Sequence, residues 1–145
     1  MKRVFILLLS LVILTGSFGL VGCSFDFTNG LSFTKLEDGT YSVAKSDTLG
    51  IFDKVENLEI PATYMGKEVT QIQEKGFEGS ENLKSVVVPS SVKEIGEDAF
   101  KGCKNLLSIT LPFLGRTDKN IGALTYLFDT KISSLKTVVL LGGRI

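Results

Sequence analysis

The chain has 145 residues, with 16 basic and 16 acidic side chains and neither histidine nor tryptophan. This length suits a single domain. The lack of histidine excludes imidazole-based catalysis and removes the commonest metal ligand, and the balanced charge gives no electrostatic reason to expect nucleic acid as a partner. No Cys-x-x-Cys pair, phosphate-binding loop or nucleotide-binding fingerprint occurs, so we expect no metal and no cofactor.

The N-terminus predicts an export signal over residues 1–22. Two basic residues precede the apolar run VFILLLSLVIL, which has the length of a signal-peptide core. The following LVGC at 20–23 resembles the lipobox of bacterial lipoproteins, which implies cleavage between Gly22 and Cys23 and lipid attachment to Cys23. Residues 4–22 would alternatively form an uncleaved membrane anchor or a secretory signal without lipid. Each interpretation exports the rest of the chain, and we expect a lipid-anchored protein on the extracytoplasmic face of the bacterial cell membrane.

Residues 31–45 predict a β-hairpin. The segment LSFTKLEDGTYSVAK alternates apolar residues around the dipeptide 38–39, Asp-Gly, which is typical of tight hairpin turns. Residues 23–30 before it would form a short tether from the lipid. Because the terminal units of a repeat array differ from the inner ones, we expect this hairpin to cover the apolar face of the array that follows.

A phrase of 22 residues then occurs twice, at a shift of 23. The segments EVTQIQEKGFEGSENLKSVVVP (68–89) and SVKEIGEDAFKGCKNLLSITLP (91–112) both have an apolar residue at the positions of Val69, Ile72, Phe77, Leu83, Val86 and Val88. Each predicts a strand that ends at proline, a second extended segment such as 92–95, and a short helical or 3₁₀ turn around a phenylalanine such as Phe100, closed by Gly102. One copy buries too little apolar surface to fold alone, so the copies must stack.

Weaker copies flank this pair. The segments VENLEIP (55–61) and LKTVVLL (135–141) fit the same strand template, which gives four rungs in all. Before the fourth strand, the turn-rich residues 113–128 replace the usual extended segment and turn.

The phrase VKEIGEDAFKGCKNLLSITLP resembles the repeat of the BspA-type leucine-rich repeat proteins of bacterial surfaces, and the resemblance extends over roughly 31–145. It implies an α/β, β-rich, right-handed leucine-rich-repeat solenoid of short parallel strands and short helical or 3₁₀ turns, with the hairpin as N-terminal cap. It also implies a role in adhesion and protein binding. Since such arrays normally continue after a strand like 135–141, we expect a truncated array with its last apolar residues, Leu135, Val138 and Leu140, poorly covered.

These predictions divide the chain into four parts. They are a signal peptide (1–22), a tether (23–30), an N-terminal cap with the first rung (31–61), and a solenoid (62–145) with clear repeats at 69–91 and 92–114 and an interrupted last repeat at 113–145.

Removal of the signal peptide leaves 14 basic against 16 acidic residues, a net charge of −2. If Cys23 carries lipid, Cys103 has no partner for a disulfide. Ser80 stands at the matching position of the earlier copy, so we expect Cys103 to be a buried core residue. The fold would therefore depend on its apolar core alone.

One acidic cluster, Glu94, Glu97 and Asp98, offers the carboxylates that glycoside hydrolysis requires. The matching residues are Gln71, Glu74 and Lys75, so a solvated face explains the cluster better than catalysis does.

The outward faces of the strands are the strongest candidate for function. Between the core positions we expect a polar surface with a few exposed apolar residues, which suits protein binding. On the first strand these outward residues are Glu56, Asn57 and Glu59. The candidate binding residues are Lys84, Ser85 and Val87 on the second strand, Leu107, Ser108 and Thr110 on the third, and Lys136, Thr137 and Val139 on the fourth.

The sequence thus predicts a non-catalytic, lipid-anchored binding module whose partner is an extracellular or cell-envelope protein or glycan. The alternatives are a carbohydrate-active enzyme or accessory module that uses Glu94 or Asp98, and a non-functional remnant of a longer adhesin.

Overall fold

The structure is a computed structural model that describes residues 30–46, 50–113, 123–128 and 134–142. The predicted signal peptide, the predicted lipid-attachment residue Cys23 and nearly all of the tether lie outside these ranges. Residues 114–122 of the interrupting segment 113–128 also lie outside them.

The described residues form nine strands and two short helices. They are β1 (Leu31–Lys35), β2 (Tyr41–Lys45), a 3₁₀ helix (Phe52–Lys54), β3 (Asn57–Glu59), β4 (Thr63–Tyr64), β5 (Lys67–Ile72), β6 (Ser85–Val87), β7 (Glu94–Ile95), β8 (Ser108–Leu111), α1 (Ala123–Phe128) and β9 (Thr137–Leu140). None of the helices within these ranges has the length and apolar character needed to cross a membrane.

The four predicted rung strands pair in parallel in the order β3-β6-β8-β9. Leu58, Val86, Ile109 and Val138 lie side by side in register. The 23-residue shift of the sequence therefore appears as one step across the sheet. Alternation along each strand sends these four residues inward and their neighbours outward.

A second sheet contains the predicted hairpin. Strands β1 and β2 pair antiparallel, with Gly39 at φ 84° in the turn between them. Strand β2 then pairs in parallel with β5, and β5 with β7, so that Val43, Ile72 and Ile95 form a row. The hairpin is thus a continuous part of this sheet. The short β4 pairs antiparallel with the start of β5.

The predicted short helical or 3₁₀ turns are single turns in the two clear repeats, with i→i−3 hydrogen bonds such as that from the Glu78 N–H to the Lys75 carbonyl at 3.0 Å. Residues 74–79 and 97–102 form consecutive single turns, whereas helices occur at 52–54 and 123–128. The N–H groups of Lys75 and Phe77 donate to the carbonyls of Glu97 and Ala99 on the next coil, at 3.0 and 2.8 Å. Because these donors point along the stack, they are not available for the i→i−4 bonds of an α-helix.

The core is a stack of rows that run from coil to coil. Its most regular row is a phenylalanine ladder, in which the ring centroids of Phe52, Phe77, Phe100 and Phe128 are separated by 5.5, 5.5 and 5.8 Å. All four side chains are buried. This confirms that Phe77 and Phe100 occupy equivalent environments, and it adds Phe52 and Phe128 to the row.

The fourth coil is less covered than the others, as expected from the sequence. Val138 and Leu140 are 37% and 45% exposed, while Leu135 is half-buried and packs against the core.

Candidate functional site

The outer face of the sheet β3-β6-β8-β9 carries all nine predicted binding residues. They form three columns across the sheet: strand register aligns the second and third columns, and hydrogen bonds between coils align the first, which precedes the strands. Neighbouring strands lie about 4.8 Å apart, so the columns present closely spaced side chains on a single surface. The first column contains Glu56, Lys84, Leu107 and Lys136, the second Asn57, Ser85, Ser108 and Thr137, and the third Glu59, Val87, Thr110 and Val139.

Backbone hydrogen bonds between coils hold the first column in line. The N–H groups of Lys84, Leu107 and Lys136 each donate to the carbonyl of the preceding column member, at 2.6, 2.8 and 2.8 Å. The Lys84 ammonium also pairs with the Glu56 carboxylate at 2.8 Å, with both side chains about half exposed. An ion pair this exposed adds little stability and is readily exchanged for another partner.

The second column is a row of short polar side chains. The Ser85 hydroxyl donates to the Asn57 side-chain oxygen at 2.7 Å, which fixes the amide of Asn57. Ser85 and Ser108 are half-buried, whereas Thr137 is exposed. This column supplies hydroxyl groups that either donate or accept hydrogen bonds.

Exposed aliphatic side chains distinguish this face from an ordinary polar sheet. Val87, Leu107 and Val139 are 40%, 41% and 45% exposed. They lie beside Lys84 and Lys136, and no described carboxylate pairs with Lys136. The face is therefore apolar and basic over β6, β8 and β9, and acidic over β3.

Two of the three carboxylates in the acidic cluster at 94–98 lie at the surface, and the third forms an ion pair. Glu94 and Glu97 are exposed, and the Asp98 carboxylate pairs with the Lys101 ammonium at 2.9 Å. Within the described ranges, no three His, Cys, Asp or Glu side chains come together as metal ligands. The arrangement matches the solvated face expected from the sequence.

Cys103 is a core residue, as predicted. Burial raises the pKa of its thiol to about 11, and the sulfur lies 3.3 Å from the carbonyl oxygen of Phe77. The Ser80 hydroxyl donates to the same oxygen at 2.7 Å. A thiol with this pKa is protonated at neutral pH and is a poor nucleophile.

Several side chains connect the coils in ways that the sequence did not reveal. The amides of Asn82 and Asn105 donate to backbone carbonyls of the preceding coil, at 2.6 and 2.8 Å. The Glu81 carboxylate accepts from the Lys104 ammonium at 2.6 Å, and this bond lowers the pKa of Glu81 and raises the pKa of Lys104. The asparagine recurs at a 23-residue shift, and this recurrence was the signal in the sequence that could have identified the contact.

The stacked coils, with one strand and one buried phenylalanine each, define a leucine-rich repeat protein. Residues 49–140 match the family model described as the BspA type leucine rich repeat region. The chain therefore belongs to the BspA-type leucine-rich repeat family, as the resemblance of its repeat predicted. No curated protein sequence gives a significant match.

Two solved bacterial structures share the fold. A leucine-rich repeat protein from Bacteroides capillosus is 23% identical with a TM-score of 0.53, and the match covers 79% of this chain and 96% of that one. A leucine rich cell surface protein from Faecalibacterium prausnitzii is 22% identical with a TM-score of 0.51, covering 81% of this chain and 32% of that one. This chain thus spans nearly the whole of the first protein and about a third of the second.

Proposed function

We propose that this protein is a non-catalytic binding module and that the outer face of the sheet β3-β6-β8-β9 binds another protein. The observation that carries the proposal is the exposure of Val87, Leu107 and Val139 on a surface whose backbone is held by hydrogen bonds between coils. Exposed apolar side chains on one surface, rimmed by polar residues, are typical of surfaces that bind proteins. A rigid sheet keeps its side chains in place before binding, which lowers the entropic cost of association.

The charge pattern indicates what kind of partner fits. Lys84 and Lys136 flank the exposed Leu107, so an acidic protein segment with apolar side chains complements this part of the face. Glu56 and Glu59 at the other edge favour a basic group there. Together they set the orientation of the bound partner.

We further propose that the protein is displayed on the cell surface and acts in adhesion. The basic and apolar N-terminus with LVGC at 20–23 supports export and lipidation of Cys23, which would leave the outer face available to extracellular or envelope proteins. One structural relative is described as a cell surface protein, in line with this location.

Two features of the architecture belong to the same proposal. We infer a right-handed array, because crossover connections between parallel strands are right-handed in nearly all proteins.

We also infer that the hairpin β1–β2 caps the array. Leu31 and Phe33 of β1 are buried, and the Phe33 ring stacks on Tyr64 at 4.0 Å, so the first coil does not expose its core.

Matched variants of the full chain test the proposed face. Immobilised extracellular-matrix and bacterial envelope proteins would be probed with the parent chain, Leu107→Glu and Met65→Glu. Met65 is 68% exposed in the turn after β4, away from the outer face. We expect Leu107→Glu to weaken binding by at least about tenfold, since it places a carboxylate at the centre of the contact, and Met65→Glu to bind like the parent.

Equal binding by both variants would refute the assignment of this face. The same preparations would be screened for hydrolysis of a panel of glycans. Turnover that disappears in Glu94→Gln or Asp98→Asn would replace binding with catalysis as the function.

A further inference from the structure

The inward-pointing residues of the parallel sheet lose their cover at β9. Leu58, Val86 and Ile109 are 2%, 1% and 0% exposed, but Val138, in register with them, is 37% exposed. The next inward row behaves in the same way, since Leu111 is fully buried and Leu140 is 45% exposed. Strand β9 therefore has the side chains of an inner rung, but among the described residues it has a neighbouring strand on one side only.

The main chain of β9 has the same asymmetry. The N–H groups of Thr137 and Leu141 donate to the carbonyls of Leu107 and Leu111 on the β8 side, at 3.1 and 2.9 Å. Successive residues of a strand direct their backbone groups to opposite sides. Val138 and Leu140 therefore direct their N–H and C=O groups away from β8, where no described strand lies. This is an open edge of the kind that pairs with another strand.

Three other edge strands in the described ranges, β1, β3 and β7, have covered inward side chains. Their inward residues Phe33 on β1, Leu58 on β3 and Ile95 on β7 are only 2–3% exposed. Residues 137–142, TVVLLG, also lack any charge, and charged side chains are the usual protection against edge pairing. Among these edge strands, β9 therefore combines exposed inward apolar side chains with an uncharged edge that can pair with another strand.

We propose that two copies of this protein pair through β9, antiparallel, across a twofold axis at Val139. In this register Val138 lies opposite Leu140 of the second copy, and each exchanges N–H···O bonds with the other. Lys136 lies opposite Gly142, so like charges do not meet. The contact is isologous and closes at a dimer.

Head-to-tail stacking of β9 on β3 is less favourable. It would place Lys136 beside Glu56 of the next copy, which is electrostatically favourable. However, Leu58 is already covered at that edge, so Val138 would gain little apolar contact there. Such an arrangement would also continue indefinitely as a filament.

Self-crosslinking of the full chain in membranes of the expressing cells tests the contact. A residue on the twofold axis meets its own copy, at a Cα separation of about 4.5 Å that suits a disulfide. On mild oxidation, we expect Val139→Cys to give a dimer band severalfold stronger than that of Val87→Cys. Val87 is the matched control, because it is similarly exposed in the same column but lies on an inner strand.

The parent chain measures any background from Cys23, and Cys103 is buried. Equal crosslinking of the two variants, or none in either, would overturn the proposal. As a second measurement, light scattering of the full chain in detergent should give twice the protomer mass, falling to one protomer in Val138→Lys. A monomeric parent would also overturn it. Binding in the Leu107→Glu assay is read separately, so the two proposals fail independently.

Discussion

The phenylalanine ladder makes a quantitative prediction about how the coils stabilise one another. Phe100 is fully buried, and its ring lies 5.5 Å from Phe77 and 5.8 Å from Phe128. Phe100→Leu keeps an apolar side chain but removes both ring contacts. Each ring pair contributes about 0.5–1.5 kcal/mol beyond its buried area, so we expect the free energy of unfolding to fall by about 1–3 kcal/mol.

Double-mutant cycles show whether the coupling free energy between phenylalanines is confined to adjacent coils. Phe77 and Phe100 stack at an interplanar angle of 7°, so Phe77→Leu and Phe100→Leu should couple by about 0.5–1.5 kcal/mol. Phe52 contacts Phe77 in the ladder, and the coil of Phe77 lies between Phe52 and Phe100. The cycle of Phe52→Leu with Phe100→Leu should therefore be additive within about 0.5 kcal/mol.

Urea unfolding of the four proteins in each cycle, followed by circular dichroism, measures these couplings. The urea dependence of the free energy must be the same in all variants for the cycles to be valid. A coupling between Phe52 and Phe100 as large as that between Phe77 and Phe100 would contradict nearest-neighbour stabilisation. It would indicate that the rows act as one cooperative unit.

Three further predictions concern the backbone and the buried thiol. A Cβ on Gly96 would lie 2.3 Å from the Glu74 backbone nitrogen of the adjacent coil, so Gly96→Ala should cost more than about 3 kcal/mol of unfolding free energy in urea titrations. Gly79→Ala, which meets nothing within 4 Å but has a φ of 70°, should cost only about 1 kcal/mol. Lys75 has a φ of 54°, and Lys75→Asn should raise the midpoint of thermal unfolding, because asparagine tolerates this conformation better; an unchanged or lower midpoint would contradict this. The pKa of Cys103 is raised from 9.0 to about 11, so the unfolded chain loses the thiol proton first, and stability should fall between pH 9 and 11. This fall should be smaller in Cys103→Ser, and an identical pH profile for both proteins would refute it.

Much of the inner architecture could be predicted from local pattern. Val86 and Ile109 are separated by 23 residues in the chain and are neighbours in the sheet, because identical coils stack with identical register. The outward position of Ser85 and Val87, on either side of the buried Val86, followed from strand alternation. The hairpin at 31–45 was evident from its central Asp-Gly dipeptide.

The ladder could be predicted only for its two inner members. Phe52 lies 25 residues before Phe77, and Phe128 lies 28 residues after Phe100, so neither falls on the 23-residue shift. Their alignment depends on loops of different length that bring the same kind of side chain to the same place. The turns around Phe77 were predicted as short helical or 3₁₀ turns, but local sequence does not show that the N–H groups of Lys75 and Phe77 bond to the next coil.

The amino-acid sequence by itself determined the repeat, the strand register and the inward or outward position of each strand residue, because these depend on spacing within one coil. Only the tertiary structure decided that Phe52 and Phe128 extend the ladder, that turn N–H groups bond to the next coil, and how much of Val87, Leu107 and Val138 remains exposed. Those properties depend on contacts with the adjacent coil, and the fold of the whole chain determines which residues of that coil make the contact.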